Sequence, residues 1–484
     1  MERAAGDGLA IGEGMKRFDL SYLVLLIYVI LISLVIYKHE PWADEAQAWL
    51  LARDSNLFDL LFKRLRYEGH PGLWYLILFP FSKLLPYRSI SLLSGLIAVL
   101  GVYVFLRYAP FPRFIRFTLP FTYFIFYQYA VIARSYVLLP ALFFLTAIAY
   151  RDKREKIYRY TLLLALLAYT SVYTMLVAVV LMLLHTVDLV RERSKLDREL
   201  VVRHVKAYAA FVAFIGLILV QLWQPEDSSF ARGYHLEIGR FIRLSRAVLN
   251  ESTTEIGYLS ILVLLISSLW FWLRGALPAY LASTTAVLAL FSVKYYNSWH
   301  QGIIFLIWVF AMWISFEREW EEGKGLKGAI RRVTLISMIV VIGIQIFWSA
   351  SVSISDFKGP YSAGKAAAEY IKSNHLEGRK IYATSFWTTS ILPYFKENIF
   401  ANHNGGRKPA FWFWAEDNRR IEDLNRILHD RPDLIIIGRP PKDLRELKGY
   451  KFIGLFPGEL YWKRGIKERN DFAIFINFIE IIKE

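Results

Sequence analysis

Up to about residue 355, apolar and polar positions do not alternate with a strand or helix period. They come in long apolar blocks separated by short basic ones. A segment crossing a bilayer must satisfy its own backbone hydrogen bonds and is apolar all round, so block patterning predicts helices there. Runs near the length that a hydrocarbon core demands, about 20 residues, occur at 20–37, 89–106, 117–133, 135–150, 207–225, 256–273, 275–293, 301–316 and 333–355. Two stretches are ambiguous. Residues 160–187 are too many for one ordinary span and few for two, and 72–86 is a short run holding Pro80 and Pro86.

Basic residues resolve both, because Lys and Arg concentrate in cytoplasmic loops. Lys16 and Arg17 precede the first span and predict a cytoplasmic N-terminus. Further clusters lie at Arg107/Arg113/Arg116, Arg151 to Arg159, Arg191 to Lys206 and Arg318 to Arg332. All fall inside if 72–86 is interfacial and 160–187 is a hairpin of two short helices turning near Tyr169–Thr174. The expectation is a polytopic α-helical membrane protein with about eleven transmembrane helices over 16–355, multi-pass in the plasma membrane. No signal peptide is expected, since 20–37 is too long for one and lacks a small-residue cleavage site. Residues 1–15 read as a disordered N-terminus.

Two pieces are left outside, the loop 38–88 and a tail from 357 to 484. The tail reads as a soluble, extracytoplasmic α/β domain. Its predicted elements are a helix at Ser362–Asn374, a strand at Lys380–Thr384, a helix at Arg419–Asp430 and a buried strand at Asp433–Gly438. Tyr450–Phe456 with Glu459–Lys463 reads as a terminal hairpin.

Composition agrees: 55% of residues are hydrophobic and 21% charged, against about 45–50% apolar in soluble domains. The net charge of +16 in so apolar a chain points to basic loops on anionic lipid rather than to nucleic acid. With no Cys, disulfides, Cys-ligated metals and thiol nucleophiles are excluded.

Candidate chemistry sits in the first loop, His39-Glu-Pro-Trp-Ala-Asp44-Glu45, and then Glu68-Gly-His70-Pro71. Between them Leu57, Leu60, Leu61 and Leu65 share one helical face, which predicts an interfacial helix holding the loop on the outer leaflet. Asp44 and Glu45 then lie at headgroup depth, where a carboxylate needs solvation or a partner. Either caps the helix that follows, or serves as a catalytic base at the membrane surface. His70 before Pro71 is equally a helix-start residue.

The order Asp44-Glu45, Gly69-His70-Pro71 and Ala133-Arg134-Ser135-Tyr136 resembles the GT-C glycosyltransferases, in the branch with protein O-mannosyltransferases and the lipid A aminoarabinose transferase. The resemblance covers about residues 16–355, and the tail is similar to tails on bacterial and archaeal members. It departs from oligosaccharyltransferases, which carry a second acidic pair and a Trp-Trp-Asp element, so transfer of a whole oligosaccharide is not expected. There is also no trefoil domain. The resemblance implies a GT-C-like fold and a polyprenyl- or dolichyl-phosphate sugar as donor. The acceptor, a glycan, lipid or protein, stays open.

Displacing a polyprenyl phosphate needs a base for the acceptor hydroxyl and cations for the leaving phosphate. Asp44 would be the base of an inverting transfer, with Glu45 positioning it. Arg134, at the outer turn between two apolar runs, would bind phosphate as a fork, beside Tyr136; an interfacial anchor is the alternative. Lys294 follows the same logic. Glu68, His70, Tyr296 and His300 are candidates for substrate binding, the aromatics being otherwise part of the interfacial belt. Arg232, Arg240, Arg243 and Arg246 read as a solvated face. Asp44, Glu45, Glu68 and His70 also offer ligands for a divalent metal such as Mg or Mn, without defining a site. The short 160–187 hairpin leaves room for a lateral groove holding a prenyl chain. Competing readings are a transporter or flippase, which would carry ionisable residues near the midplane, and a polymerase or ligase of lipid-linked glycans.

Overall fold

The computed structural model describes residues 19–195, 197–229, 233–234, 236–318, 325–415, 424–465 and 467–478. The N-terminal segment 1–15, Lys16, Arg17, Arg232 and residues 419–423 of the expected tail helix lie outside the described residues. The chain is a mostly helical bundle up to Lys358, followed by a region with strands.

Among the described residues, six helices are long and apolar enough to cross a membrane. In the bundle α1 is Leu20–Lys38, α2 Ala43–Asp54, α3 Leu73–Leu84 and α4 Ser89–Tyr108. Then come α5 Leu138–Arg151, α6 Ile157–Ala168, α7 Val172–Arg191, α8 Arg198–Gln221, α9 Ile238–Glu251, α10 Gly257–Leu273, α11 Leu277–Val293, α12 Gln301–Phe316 and α13 Leu326–Lys358. Helix α12 is central: every residue from Gln301 to Ser315 is buried, as a helix apolar all round should be. By contrast α1 shows Leu26, Ile30 and Leu34 on its outside, each about half exposed, a surface that suits lipid.

The 160–187 run is a turned pair, α6 and α7, breaking at Tyr169–Ser171 where Ser171 caps α7. The 117–133 run is not one helix. A short helix Arg113–Thr118 gives way to a 3₁₀ turn at Leu119–Phe121, then to a π-helical stretch Phe124–Val131 whose residues are all buried. Pro120 has no N–H to continue the helical ladder, which accounts for the first break. The loop helix at 57–68 also departs from ideal α geometry, with a π-helical turn at Leu60–Arg64. The extra residue in that turn rotates the expected stripe. Leu60 and Leu65 go into the core, whereas Leu57 is 45% exposed.

In the tail, α14 is Gly364–Ser373 and α15 Leu424–His429. Strands β1 Ile381–Thr384, β2 Leu434–Gly438, β3 Tyr450–Phe456 and β6 Phe472–Asn477 form one sheet, in the order β1-β2-β6-β3. β1 and β2 run parallel, and β6 is antiparallel to both β2 and β3. The expected hairpin of 450–456 with 459–463 does not form. β3 pairs with β6, and β4 Glu459–Tyr461 pairs with β5 Lys467–Arg469 in a separate two-stranded ribbon. Gly458 permits the chain to pass between them: a Cβ there would meet Asn470 O at 2.5 Å and Ala363 N at 2.6 Å. The chain leaves the sheet through that close approach instead of turning back on β3.

The tip of this ribbon is driven into the bundle. Trp462 stacks on Trp299, ring centroids 3.8 Å apart. Lys463 is buried, bonded to Glu255 Oε1 at 3.0 Å, to the Glu251 carbonyl and to the Gln301 side chain. A buried ammonium is tolerable only with such partners, so the ribbon holds the tail against the C-terminal end of α9 and the N-terminal end of α12.

Candidate functional site

The site begins at the N-terminus of α2. Glu45 is fully buried, and its carboxylate accepts from the Trp42 N–H at 3.0 Å, capping the helix. The other oxygen accepts from the Ala133 N–H at 2.7 Å, eighty-eight positions along the chain. His39 lies between Glu45 and Asp356 at 3.3 Å from each, and Tyr127 OH donates to Asp356 at 2.7 Å. Burial alone would lower the His39 pKa, but the two carboxylates outweigh it and raise the imidazole to about 10. Glu45 therefore faces the protein and does not line the cavity described next.

Asp44, one residue earlier, points the other way. Its Oδ2 is 2.7 Å from Arg134 Nη1, both side chains being partly buried. The guanidinium also lies 5.4 Å from the Tyr136 ring centroid. Burial raises the Asp44 pKa; Arg134 opposes that and neighbouring Glu45 adds to it, leaving the carboxyl above its ordinary value.

These groups open on a cavity of about 340 Å³. Its bundle wall has Asp44, Gln47, Glu68, His70, Arg134, Tyr295, Asn297 and His300, with Trp42, Trp74 and Trp299. The tail contributes Phe386, Trp387, Trp414, Trp462 and Glu468. Glu68 accepts from Gln47 Nε2 at 2.7 Å. Its removal from water, with the Asp44 charge adding and the Gln47 bond opposing, pushes its pKa up to about 8. His70 is moved the opposite way, to about 3, by burial and by Arg134. It is a neutral ring at physiological pH.

A second cavity, about 650 Å³ and mainly apolar, lies between α7, α8 and α11, lined by Val172, Tyr173, Met175, Leu176, Leu219, Leu222 and Leu290. It shares His70 and Tyr295 with the first. Lys294 is on this apolar groove rather than in the polar cavity, 3.4 Å from Gln224 Oε1 and 4.4 Å from the Tyr234 ring centroid.

Asp44, Glu68, His70, Arg134 and His300 thus come together around one cavity. Tyr136 lies beneath Arg134, stacked on Tyr129 at 5.3 Å. Tyr296 stands apart, bonded to Gln301 Nε2 at 2.7 Å and to Glu251 at 3.3 Å. Arg243 and Arg246 are exposed on α9. Gln47, Asn297 and the tail aromatics were missed. Gln47 sits one turn after Asp44 on α2 and was detectable by that spacing; the tail residues carry no local signal. For a metal, no group of three His, Asp or Glu side chains converges among the described residues. Glu45, committed to backbone N–H groups, does not fit as a ligand beside Asp44.

No family model matches the chain, and no curated protein matches it.

A pH dependence follows from Glu68. Its pKa is raised on folding, so its contribution to stability is complete below the ordinary value of 4.5 and is lost as pH rises through about 8. Glu68→Gln keeps the acceptor for Gln47 and cannot ionise. The melting temperature of the wild type in detergent should fall relative to Glu68→Gln across that window. Parallel curves for the two proteins would show that Glu68 is not perturbed.

Proposed function

We propose that the chain is a membrane glycosyltransferase. It moves a sugar from a polyprenyl-phosphate donor to an acceptor hydroxyl at the outer face, with inversion. The observation that supports this most is the junction at His70 and Tyr295, where a polar cavity holding a carboxylate–guanidinium pair meets an apolar groove with a lysine on it. A lipid-linked sugar has the same two halves. Its chain would lie along α7, α8 and α11, and its sugar beside Asp44.

In this reading Asp44 takes the proton of the acceptor hydroxyl as that oxygen bonds to the anomeric carbon. The carbon–oxygen bond to phosphate breaks, and the electron pair leaves with the polyprenyl phosphate. Arg134 and Lys294 stabilise its charge. Arg134 is engaged by Asp44 at 2.7 Å. An arriving phosphate competes for the same guanidinium, and Asp44, released from its counter-charge inside a partly buried site, becomes a stronger base. Donor binding thereby prepares the acceptor half-reaction. Glu45 positions the base by holding the start of α2 to Ala133.

The test is Asp44→Asn. Because Arg134 is freed, binding of undecaprenyl phosphate should be equal to or tighter than wild type. Transfer from a panel of polyprenyl-phosphate sugars should fall by about 10²–10⁴-fold, the usual contribution of a general base. Loss of lipid binding together with transfer would instead mean that Asp44 only supports the fold.

The proposal includes orientation: N-terminus inside, loop 38–88 and tail outside, with eleven crossings if the broken 113–131 stretch passes through as one. Ser194 and Ser373 are both exposed, and the chain has no Cys of its own. An impermeant maleimide on intact cells should label Ser373→Cys and spare Ser194→Cys. The reverse pattern would put the site on the inner face.

A further inference from the structure

Resting on that transferase reading, we infer that the acceptor is an uncharged saccharide, held between α2 and the tail side of the polar cavity. Among the described residues, the tail lines the polar cavity and not the apolar groove. Trp414 and Phe386 lie side by side there, centroids 4.8 Å apart, and Trp462 is fixed on Trp299 by the ribbon tip. Trp387 is different. One face stacks on Trp42 at 5.5 Å and the Arg439 guanidinium lies 3.3 Å from the ring centroid, so it serves as a support. Indole rings beside amide and carboxylate groups suit a sugar, whose C–H faces pack on aromatic surface while its hydroxyls bond to polar atoms.

The alternatives fit less well. A peptide acceptor captured by strand addition needs free backbone groups, and four of those in the tail segment 410–414 at the cavity are already bonded. Gln47 holds both the N–H and the C=O of Trp412 at 2.8 Å. Asp54 accepts from the Ala410 N–H at 2.9 Å, and Ser229 N–H donates to the Trp414 carbonyl at 2.7 Å. Among the described lining residues Arg134 is the one cation, and Asp44 and, in the transferase reading, the donor phosphate both call on it. Glu468 is paired with Arg439 at 2.8 Å, so an anionic acceptor would find no counter-charge of its own.

The inference is tested by saturation-transfer difference NMR on the full-length protein in detergent. The probes are neutral tetrasaccharides of glucose, mannose and galactose, with tetragalacturonate and a Ser/Thr-rich octapeptide for comparison. Saturation should reach ring C–H protons of at least one neutral tetrasaccharide. Affinity should drop about tenfold in Trp414→Ala, the scale of one lost aromatic contact, and recover in Trp414→Phe. Undecaprenyl phosphate binding, followed in parallel by native mass spectrometry, should be the same in all three proteins. Saturation of the peptide or of tetragalacturonate alone, or of no probe, with lipid binding intact overturns the saccharide acceptor and spares the transferase. Saccharide binding that Trp414→Ala leaves unchanged overturns the assignment to this wall. Failure of the wild type to bind undecaprenyl phosphate removes the transferase reading itself.

Discussion

Everything at the cavity end of this bundle hangs on two neighbouring carboxylates that face opposite ways. Glu45 holds the N–H of residue 133 and Asp44 holds the side chain of residue 134, so two consecutive positions of α2 grip two consecutive positions of a distant loop. Glu45 is fully buried, and its charge is affordable only because backbone donors and His39 surround it. His39 reaches on to Asp356 near the end of α13. One buried network therefore links the first helix, the loop helix, the broken 124–131 stretch and the last helix. The tail starts directly after that last helix, so its placement over the cavity depends on the same network.

In the proposed transfer, that arrangement would separate holding from reacting. Asp44 would need a fixed position but also a replaceable partner, and Arg134 would supply the second because a guanidinium suits phosphate as well as carboxylate. Were Asp44 to cap the helix itself, it would be committed to backbone N–H groups and unavailable as a base. The capping duty falls on Glu45, and Asp44 is left facing the cavity.

The bundle was legible from the chain because apolar blocks have only one low-energy form in a bilayer core. The α6–α7 turn was legible too, since a run that long cannot cross once. The break at Pro120 was less so: the run reads as apolar, and nothing local announces that residues 124–131 wind as a π-helix packed inside the protein. In the tail, β1 and β2 follow from short β-branched and apolar runs, but the pairing of β3 with β6 does not. Strand partners are chosen by long-range packing, which no local run of residues displays. Among candidate site residues, Asp44, Glu68, His70 and Arg134 stood out in the sequence by their place beside apolar runs and by the resemblance, and the structure brings them around one cavity. As a helix cap Glu45 and Asp44 were equal candidates in sequence, and the direction of the Glu45 side chain gives it that duty. Trp414, Trp462 and Glu468 were invisible, because one Trp among 15 says nothing until the tail is folded onto the bundle.

The central claim is that Arg134 exchanges Asp44 for the phosphate of a lipid donor. The direct measurement is a structure of the full-length protein with undecaprenyl phosphate bound. The account predicts phosphate oxygens within hydrogen-bond reach of Arg134, the prenyl chain along α7 and α8, and Asp44 parted from the guanidinium it now touches at 2.7 Å. A lipid phosphate bound elsewhere, with the Asp44–Arg134 pair intact, would contradict it.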